Sequence, residues 1–184
     1  MTNHWRDFKN SDVILVIGAN PAENHPCGWK WPHVGRDERG TKIIHVDPRF
    51  TRTSAIADVF VPIRAGADTA FFGGLINYVL EHELYQEDYV KLHTNASFIV
   101  AEGFSFDDGL FSGYDVAERT YDTTTWDYER DGEGFAQVDP TLRDPRCVFQ
   151  LMREHYRRYT PEMISKITGI PEEKFVAVAA EFGA

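Results

Sequence analysis

The sequence predicts a doubly wound α/β fold, and two apolar runs and one helical pattern carry that prediction. Residues 12–17 (DVILVI) and 42–46 (KIIHV) are rich in β-branched apolar side chains, so both are expected to be buried parallel strands, the first of them central in its sheet. Residues 68–83 place apolar side chains at helical spacing after a third strand candidate. Strands that alternate with helical segments indicate a mostly parallel, Rossmann-like sheet.

The segment between the first two strands predicts a crossover helix that is short, broken or kinked. Pro26 suits the first helical turn and Gly40 suits the exit, whereas Pro32 and Gly35 fall inside the segment and weaken it.

The third strand candidate, residues 59–63 (VFVPI), contains Pro62, which places it near a sheet edge or a strand end. Gly73 and Gly74 weaken the helix that follows but would allow it to pack closely on the sheet. Residues 86–93 are expected to form another short helix.

The remaining sequence divides the chain into three parts. Residues 1–100 are expected to form the α/β core, 101–144 an ordered but irregular excursion with one hairpin at residues 131–134, and 145–184 a helical segment. In that last part, Thr160 is expected to cap a helix over residues 161–167 that Gly169 ends.

Composition excludes several classes of function. The formal net charge of −10 makes a nucleic-acid partner unfavourable, and the longest apolar run is too short to insert into a membrane. The first ten residues contain no export signal. Cys27 and Cys147 belong to no CxxC pair, so we expect neither an iron–sulfur cluster nor a zinc site on this chain, and favour two structural thiols over one disulfide.

Polar residues follow the first strand at the point where ligands of open α/β sheets bind. Gly18, Asn20, Glu23 and Asn24 occupy this loop, although only Gly18 remains of the three-glycine dinucleotide fingerprint. A ligand-binding loop and an ordinary polar turn are both compatible with this pattern.

The second strand ends in Asp47 and Arg49. The carboxylate can bond two ribose hydroxyls or two N–H donors of guanine, and the guanidinium can reach a phosphate; an Asp–Pro turn with a surface salt bridge is the alternative. The hydroxyls of Thr51 and Thr53 suit the start of a short helix.

The third strand leads to Gly66 and Asp68, where a ligand contact and a plain helix cap are again both open. Because all three polar loops follow strands of one sheet, we expect them to lie on one edge and to share a site.

No catalytic or metal-ligating residue emerges from the pattern. The chain contains no GxSxG elbow and no Walker loop. Metal-binding spacing such as HExxH is absent around His25, His33, His45, His93 and His155, and most of these histidines are expected to be ordinary core or surface residues.

Residues 1–26 and 42–68 nevertheless resemble the catalytic subunits of membrane-associated or periplasmic formate dehydrogenases, within the dimethyl-sulfoxide-reductase-like molybdopterin family. The resemblance continues through EDYVKLHTNASFIV, FDDGLFSGYD, DPRCVF and RYTPEMISKITGIP, so it covers nearly the whole chain.

The resemblance implies two molybdopterin guanine dinucleotides (bis-MGD) around one molybdenum or tungsten, with a selenocysteine or cysteine on the metal and a nearby histidine and arginine that assist oxidation of formate to carbon dioxide. It also implies a 4Fe-4S cluster on an N-terminal cysteine motif and a separate iron–sulfur electron-transfer subunit in anaerobic respiration.

The resemblance further implies that this chain is a fragment. The family's metal-bound residue lies shortly before the segment that resembles residues 1–3, so the metal ligand and cluster cysteines are expected in the remainder of the catalytic subunit, and the isolated chain is expected to be inactive. Guanine-dinucleotide contacts carry over to the strand-end residues named above, while Pro32 and Gly35 depart from the family's continuous helix.

Two alternative functions would use a similar fold. A non-catalytic cofactor-binding scaffold of Rossmann-like fold would use the same loops, and a nicotinamide-binding domain is disfavoured because the three-glycine turn is absent. The resemblance also implies a periplasmic parent enzyme.

Overall fold

The computed structural model describes residues 3–183, so Met1, Thr2 and Ala184 lie outside the described residues. Two residues of segment 1–3, which resembles the stretch just after the family's metal-bound residue, are therefore not described. The chain forms two compact units. The first comprises residues up to 78 together with those from 159 onward, and the second comprises residues 79–158. These boundaries differ from the expected divisions at residues 100 and 144, because the last two helices complete the core of the first unit.

The described residues contain short strands and eight α-helices. The strands are β1 (Val13–Ile17), β2 (Lys42–Val46), β3 (Val59–Val61), β4 (Phe106–Asp107), β5 (Leu110–Phe111), β6 (Tyr114–Asp115) and β7 (Thr120–Tyr121). The helices are α1 (Pro21–Asn24), α2 (Pro26–Arg39), α3 (Arg52–Ile56), α4 (Asp68–Glu81), α5 (Glu87–His93), α6 (Val148–Tyr156), α7 (Pro161–Thr168) and α8 (Glu172–Gly183). Two 3-10 helices span Trp5–Asn10 and Thr123–Thr125.

The first unit is built on a parallel sheet with the order β1-β2-β3. Ile17 pairs with Val46, and Val46 pairs with Val61, so the three strands end at the same edge. The α/β fold class, with its parallel sheet and helical C-terminal part, is therefore confirmed, and the loops after the strands leave from one edge as expected.

Strand β2, and not β1, is the central strand of this sheet. Ile43, Ile44 and Val46 have no exposed surface, whereas Ile14 is the one residue of β1 that is buried. The expectation of a central first strand was wrong because β1 has a neighbour on one side only within the described residues. A strongly apolar sequence alone does not say how many neighbours a strand has.

One face of the sheet packs against α4, α7 and α8. The largest side chains of this core include Phe71 of α4, Ile164 of α7 and Phe175 of α8. Gly74 serves this helix packing and Gly73 lies against the ring of Tyr159, so neither serves the expected packing on the sheet. A Cβ at Gly74 would lie 2.6 Å from Cγ1 of Ile164, so glycine is needed for the helices to approach this closely.

Helix α2 is continuous, contrary to the expected break. It runs from Pro26 to Arg39 with Pro32 buried inside it, and Gly40 ends it in the left-handed conformation at φ 77°. Packing explains the continuity: a Cβ at Gly28 would lie 2.6 Å from the Trp5 ring, so the first 3-10 helix contacts the α2 backbone directly. These contacts offset the hydrogen bond that proline removes.

The second unit contains α5, α6 and small hairpins. The expected hairpin at residues 131–134 is present, because Arg130 and Ala136 form an antiparallel β-bridge and the N–H of Asp131 donates to Phe135 O at 2.9 Å. Strands β4 to β7 form two further hairpins that were not predicted. No helix among residues 3–183 has both the length and the apolar character that crossing a bilayer requires.

Candidate functional site

A cavity of about 470 Å³ lies at the carboxyl edge of the parallel sheet, between the loops that follow β1 and β2. It brings together three of the predicted site residues with four others, and its lining is Asn20, Glu23, Arg49, Phe50, Thr51, Arg52 and Ala55.

The loop after β1 is held in place by α3. The hydroxyl of Thr53 donates to Oδ1 of Asn20 at 2.9 Å and accepts the backbone N–H of Ala22 at 3.1 Å. Nδ2 of Asn20 donates to the carboxylate of Glu23, which also pairs with Arg52 at 3.4 Å. The polar groups of the first loop are therefore fixed against the second loop before any ligand binds.

Of the two predicted site residues in the loop after β2, Arg49 lines the cavity and Asp47 lies outside its lining. Oδ1 of Asp47 accepts the backbone N–H of Arg49 at 2.7 Å, and Asp47 is nearly buried. The guanidinium of Arg49 is exposed on the cavity wall. Thr51 caps α3 and forms a capping box with Ser54, as the threonines of this segment predicted.

His45 is a functional candidate that the sequence did not single out. It has no exposed surface, and its ring bonds Ser54 Oγ at 2.8 Å and Ala19 O at 2.9 Å. Its hydrogen-bond partners lie 9 and 26 residues away in the chain, so no local sequence pattern predicts these contacts.

The third loop does not contribute to the cavity wall. Gly66 adopts a positive φ of 79°, and Asp68 is the first residue of α4, but neither lines the cavity. Gly18, at φ 60°, and Asn24, whose Oδ1 bonds His25 at 2.6 Å, also lie outside the lining. All three loops leave from one edge of the sheet, as predicted, but only the loops after β1 and β2 form the cavity.

The lining residues suit a phosphorylated, aromatic ligand better than a metal. Arg49 and Arg52 present guanidinium groups that match phosphate geometry, and Phe50 is 64% exposed beside them, so one face of its ring is free to stack. Within residues 3–183, no group of three or more His, Cys, Asp and Glu side chains is placed to hold a metal ion.

A larger cavity of about 520 Å³ lies within the second unit, and its chemistry is different. Its walls are mostly aromatic and aliphatic, with Phe106, Trp126 and Met152 among them. Burial, followed by the nearby Arg158 cation, lowers the pKa of His155 at this cavity. No guanidinium lines it, so we take the smaller cavity of the first unit as the candidate site.

Comparison with known proteins assigns the chain to a family. Residues 1–165 match the sequence profile described as Molybdopterin oxidoreductase. The chain belongs to the molybdopterin oxidoreductase family. The match spans both compact units, so the irregular excursion belongs to this molybdopterin oxidoreductase sequence as much as the parallel sheet does.

Two curated relatives are similar across almost the whole chain. The formate dehydrogenase subunit alpha of Megalodesulfovibrio gigas is 54% identical over 178 residues, which is 97% of this chain and 18% of that protein. The formate dehydrogenase-O major subunit of Escherichia coli K12 is 48% identical over 178 residues, with the same two coverages. The chain thus spans about a fifth of the length of these relatives.

Among solved structures, the acetylene hydratase of Pelobacter acetylenicus has the same fold over 95% of this chain and 17% of its own, with a TM-score of 0.60 and 21% identity. At that identity, the similarity supports the fold of this molybdopterin oxidoreductase segment and says nothing of its substrate.

Proposed function

We propose that this chain is part of the catalytic subunit of a molybdenum- or tungsten-dependent formate dehydrogenase. In this proposal, the cavity at the carboxyl edge of the parallel sheet, hereafter the strand-end cavity, holds the guanine nucleotide of one molybdopterin guanine dinucleotide. The observation that carries the proposal is the 54% identity to a formate dehydrogenase alpha subunit over 97% of the chain. Oxidation of formate to carbon dioxide would be an activity of the longer protein.

The residues of the cavity fit a guanine nucleotide. Arg49 and Arg52 line the cavity and are placed to bind phosphate oxygens through charge-assisted hydrogen bonds. In the proposal, the nucleotide extends beyond the lining to Asp47, whose carboxylate can accept ribose hydroxyls or guanine N–H groups. The exposed ring of Phe50 offers a stacking surface for the base.

The same residues do not fit the metal or an iron–sulfur cluster. The described residues offer no group of metal ligands, and the chain contains only two cysteines, whereas a 4Fe-4S cluster takes four thiolates. When bound, the dinucleotide pair would supply the metal centre at which formate loses two electrons. In the proposal, the remainder of the catalytic subunit provides the metal ligand and the cluster, and an iron–sulfur subunit accepts the electrons.

The alternative of a scaffold without turnover is less well supported. A scaffold would keep the nucleotide-binding loops, but nothing about a scaffold predicts similarity to enzymes. Both relatives described above are formate dehydrogenase subunits.

The complete reading frame around this chain provides the test. It would be read from the flanking DNA, expressed, and assayed for formate-dependent reduction of benzyl viologen and for GMP released by acid hydrolysis. The proposal requires both dye reduction and bound guanine nucleotide. GMP without formate-dependent reduction would favour the scaffold, and a purified protein with neither would refute the proposal.

The parent enzyme is also proposed to be periplasmic, in keeping with the resemblance to periplasmic and membrane-associated formate dehydrogenases. Release of the complete subunit with the periplasmic fraction on osmotic shock would support this location, and retention with a cytoplasmic marker would refute it.

A further inference from the structure

We propose that His45 is a positioning residue for the strand-end cavity, because its ring joins the two loops that form the cavity walls. This inference rests on the proposed function, in which the cavity holds a guanine nucleotide.

The ring of His45 spans from the loop after β1 to helix α3. It lies on the central strand β2 without any exposed surface. Its Nε2 is 2.9 Å from the backbone oxygen of Ala19, and its Nδ1 is 2.8 Å from Oγ of Ser54. Both ring nitrogens are therefore satisfied by groups of the site.

The direction of these hydrogen bonds follows from the partners. A carbonyl oxygen only accepts, so Nε2 carries the hydrogen that bonds Ala19. Oγ of Ser54 accepts the backbone N–H of Thr51 at 2.8 Å, which leaves its own hydrogen to donate to Nδ1 of His45. A directed chain of hydrogen bonds then runs from Thr51 through Ser54 and His45 to Ala19.

Both ends of this chain adjoin residues of the cavity wall. Ala19 immediately precedes Asn20, and Thr51 itself lines the cavity beside Phe50. The His45 ring thus fixes the distance between the two walls. Such preorganisation lowers the conformational cost of ligand binding.

His45 also leaves the neighbouring carboxylate available. Oδ2 of Asp47 lies 3.8 Å from Nε2, which is too long for a hydrogen bond, and the Nε2 hydrogen is already given to Ala19. The imidazole supports the loops without competing with a ligand for Asp47.

A purely structural role does not explain the choice of histidine. Ile43, on the same face of β2 as His45, is a β-branched aliphatic with no exposed surface, and another aliphatic at position 45 would fill the interior without polar atoms to satisfy. A buried imidazole requires partners for both nitrogens, and here both partners belong to cavity loops.

Three variants of the complete subunit test the proposal. His45→Val removes both hydrogen bonds, and His45→Gln keeps an N–H donor near the place of Nε2. Thr41→Val is the matched control, since Thr41 is also buried and its hydroxyl donates to Ser11 O at 2.6 Å, at the amino end of β2 away from the cavity.

The readouts are GMP released per subunit, hydrogen exchange of peptides covering residues 18–24 and 51–54, and Tm. We expect His45→Val to lower GMP content about twofold or more and to speed exchange in both loops, with partial recovery in His45→Gln. Thr41→Val should lower Tm while leaving both loop readouts at the wild-type level.

The outcomes separate this inference from the proposed function. A wild-type subunit without GMP would refute the nucleotide site itself, while loop exchange would still show whether His45 orders the walls. Wild-type GMP content and unchanged loop exchange in His45→Val would overturn the inference. Equal loss of GMP in His45→Val and Thr41→Val at equal Tm would also overturn it, because general destabilisation would then suffice.

Discussion

The guanidinium of Arg64 donates a hydrogen bond to the carbonyl oxygen of Ile167 at 3.2 Å, in the last turn of α7, and another to Lys166 O at 2.5 Å. Arg64 and Arg49 both follow strands of one sheet, yet the surroundings of their side chains differ. Arg64 satisfies carbonyls at a helix end, where a cation is favoured. The Arg49 side chain instead lies exposed on the cavity wall.

Substitution of these two arginines should separate stability from nucleotide retention. We expect Arg64→Ala to lower the free energy of unfolding by about 1–2 kcal/mol with little change in bound nucleotide, because it removes hydrogen bonds to α7. Arg49→Ala should lower GMP content relative to wild type, with a larger difference at low salt than at high salt because salt screens the phosphate contact, and should leave Tm unchanged. Urea unfolding and GMP content would be measured on both. A reversed pattern would contradict the assignment of Arg49 to phosphate.

Removal of either strand-end carboxylate should weaken nucleotide retention in the complete subunit. In Asp47→Ala and Asp68→Ala, guanine or ribose donors lose a charged acceptor, at a cost of about 1.5–3 kcal/mol per bond. Since about 1.4 kcal/mol corresponds to a tenfold change in affinity, GMP content should fall without vanishing. Tm would exclude misfolding. Neither Asp47 nor Asp68 lines the cavity. Unchanged GMP content in Asp68→Ala alone would limit the site to the first two loops, and unchanged GMP content in both variants would remove the carboxylates from the site.

The isolated chain should not oxidise formate. The two cysteines are too few for an iron–sulfur cluster, and the described residues contain no group of metal ligands. Formate-dependent reduction of benzyl viologen would be measured with the purified 184-residue chain and, as a positive control, with the complete subunit. Turnover by the chain alone would show that its own residues suffice for the reaction.

Asp139 should make the second unit sensitive to acid. Its Oδ1 accepts the hydroxyl of Thr141 at 2.6 Å, and its Oδ2 accepts the N–H of Asp144 at 2.7 Å and of Arg143 at 2.6 Å. These bonds, that of the Thr141 hydroxyl first, hold the pKa of Asp139 well below its ordinary value. A carboxylate with a depressed pKa stabilises the fold above its unfolded pKa and loses that stabilisation as the pH falls towards the folded value.

Asp139→Asn should therefore lower the free energy of unfolding by roughly 1–2 kcal/mol at pH 7, because an amide nitrogen cannot accept these bonds. The difference from wild type should shrink below about pH 4, near the ordinary pKa of aspartate. Urea unfolding at several pH values measures it, and Asp107→Asn, at an exposed carboxylate of the same unit, controls for the change in net charge. A difference that is independent of pH would contradict the explanation.

The sequence predicts the elements whose signals are local. The apolar runs that end at Ile17 and Val46 give the first two strands, and Thr160 caps α7 through the N–H of Met163 as expected. Gly40 likewise ends α2. These features depend on neighbouring residues, so a short stretch of sequence contains the whole cause.

Features that depend on distant partners were missed. Helix α2 continues through Pro32 because Trp5 packs on Gly28, and no residue within the helix indicates that contact. The hydrogen bonds of His45 are to Ala19 and Ser54, which come close to its ring only in the folded chain. The small hairpins β4–β5 and β6–β7 use strands of two residues, which are too short to show an alternating pattern.

Strand β1 has a further consequence for handling the chain in solution. Among the described residues it pairs only with β2, so its other side presents backbone N–H and C=O groups without strand partners, beside half-exposed Leu15 and Ile17. Such an edge is a template for strand pairing between molecules. The purified chain should therefore self-associate as its concentration rises, and a charged substitution such as Val16→Lys on this strand should raise its solubility.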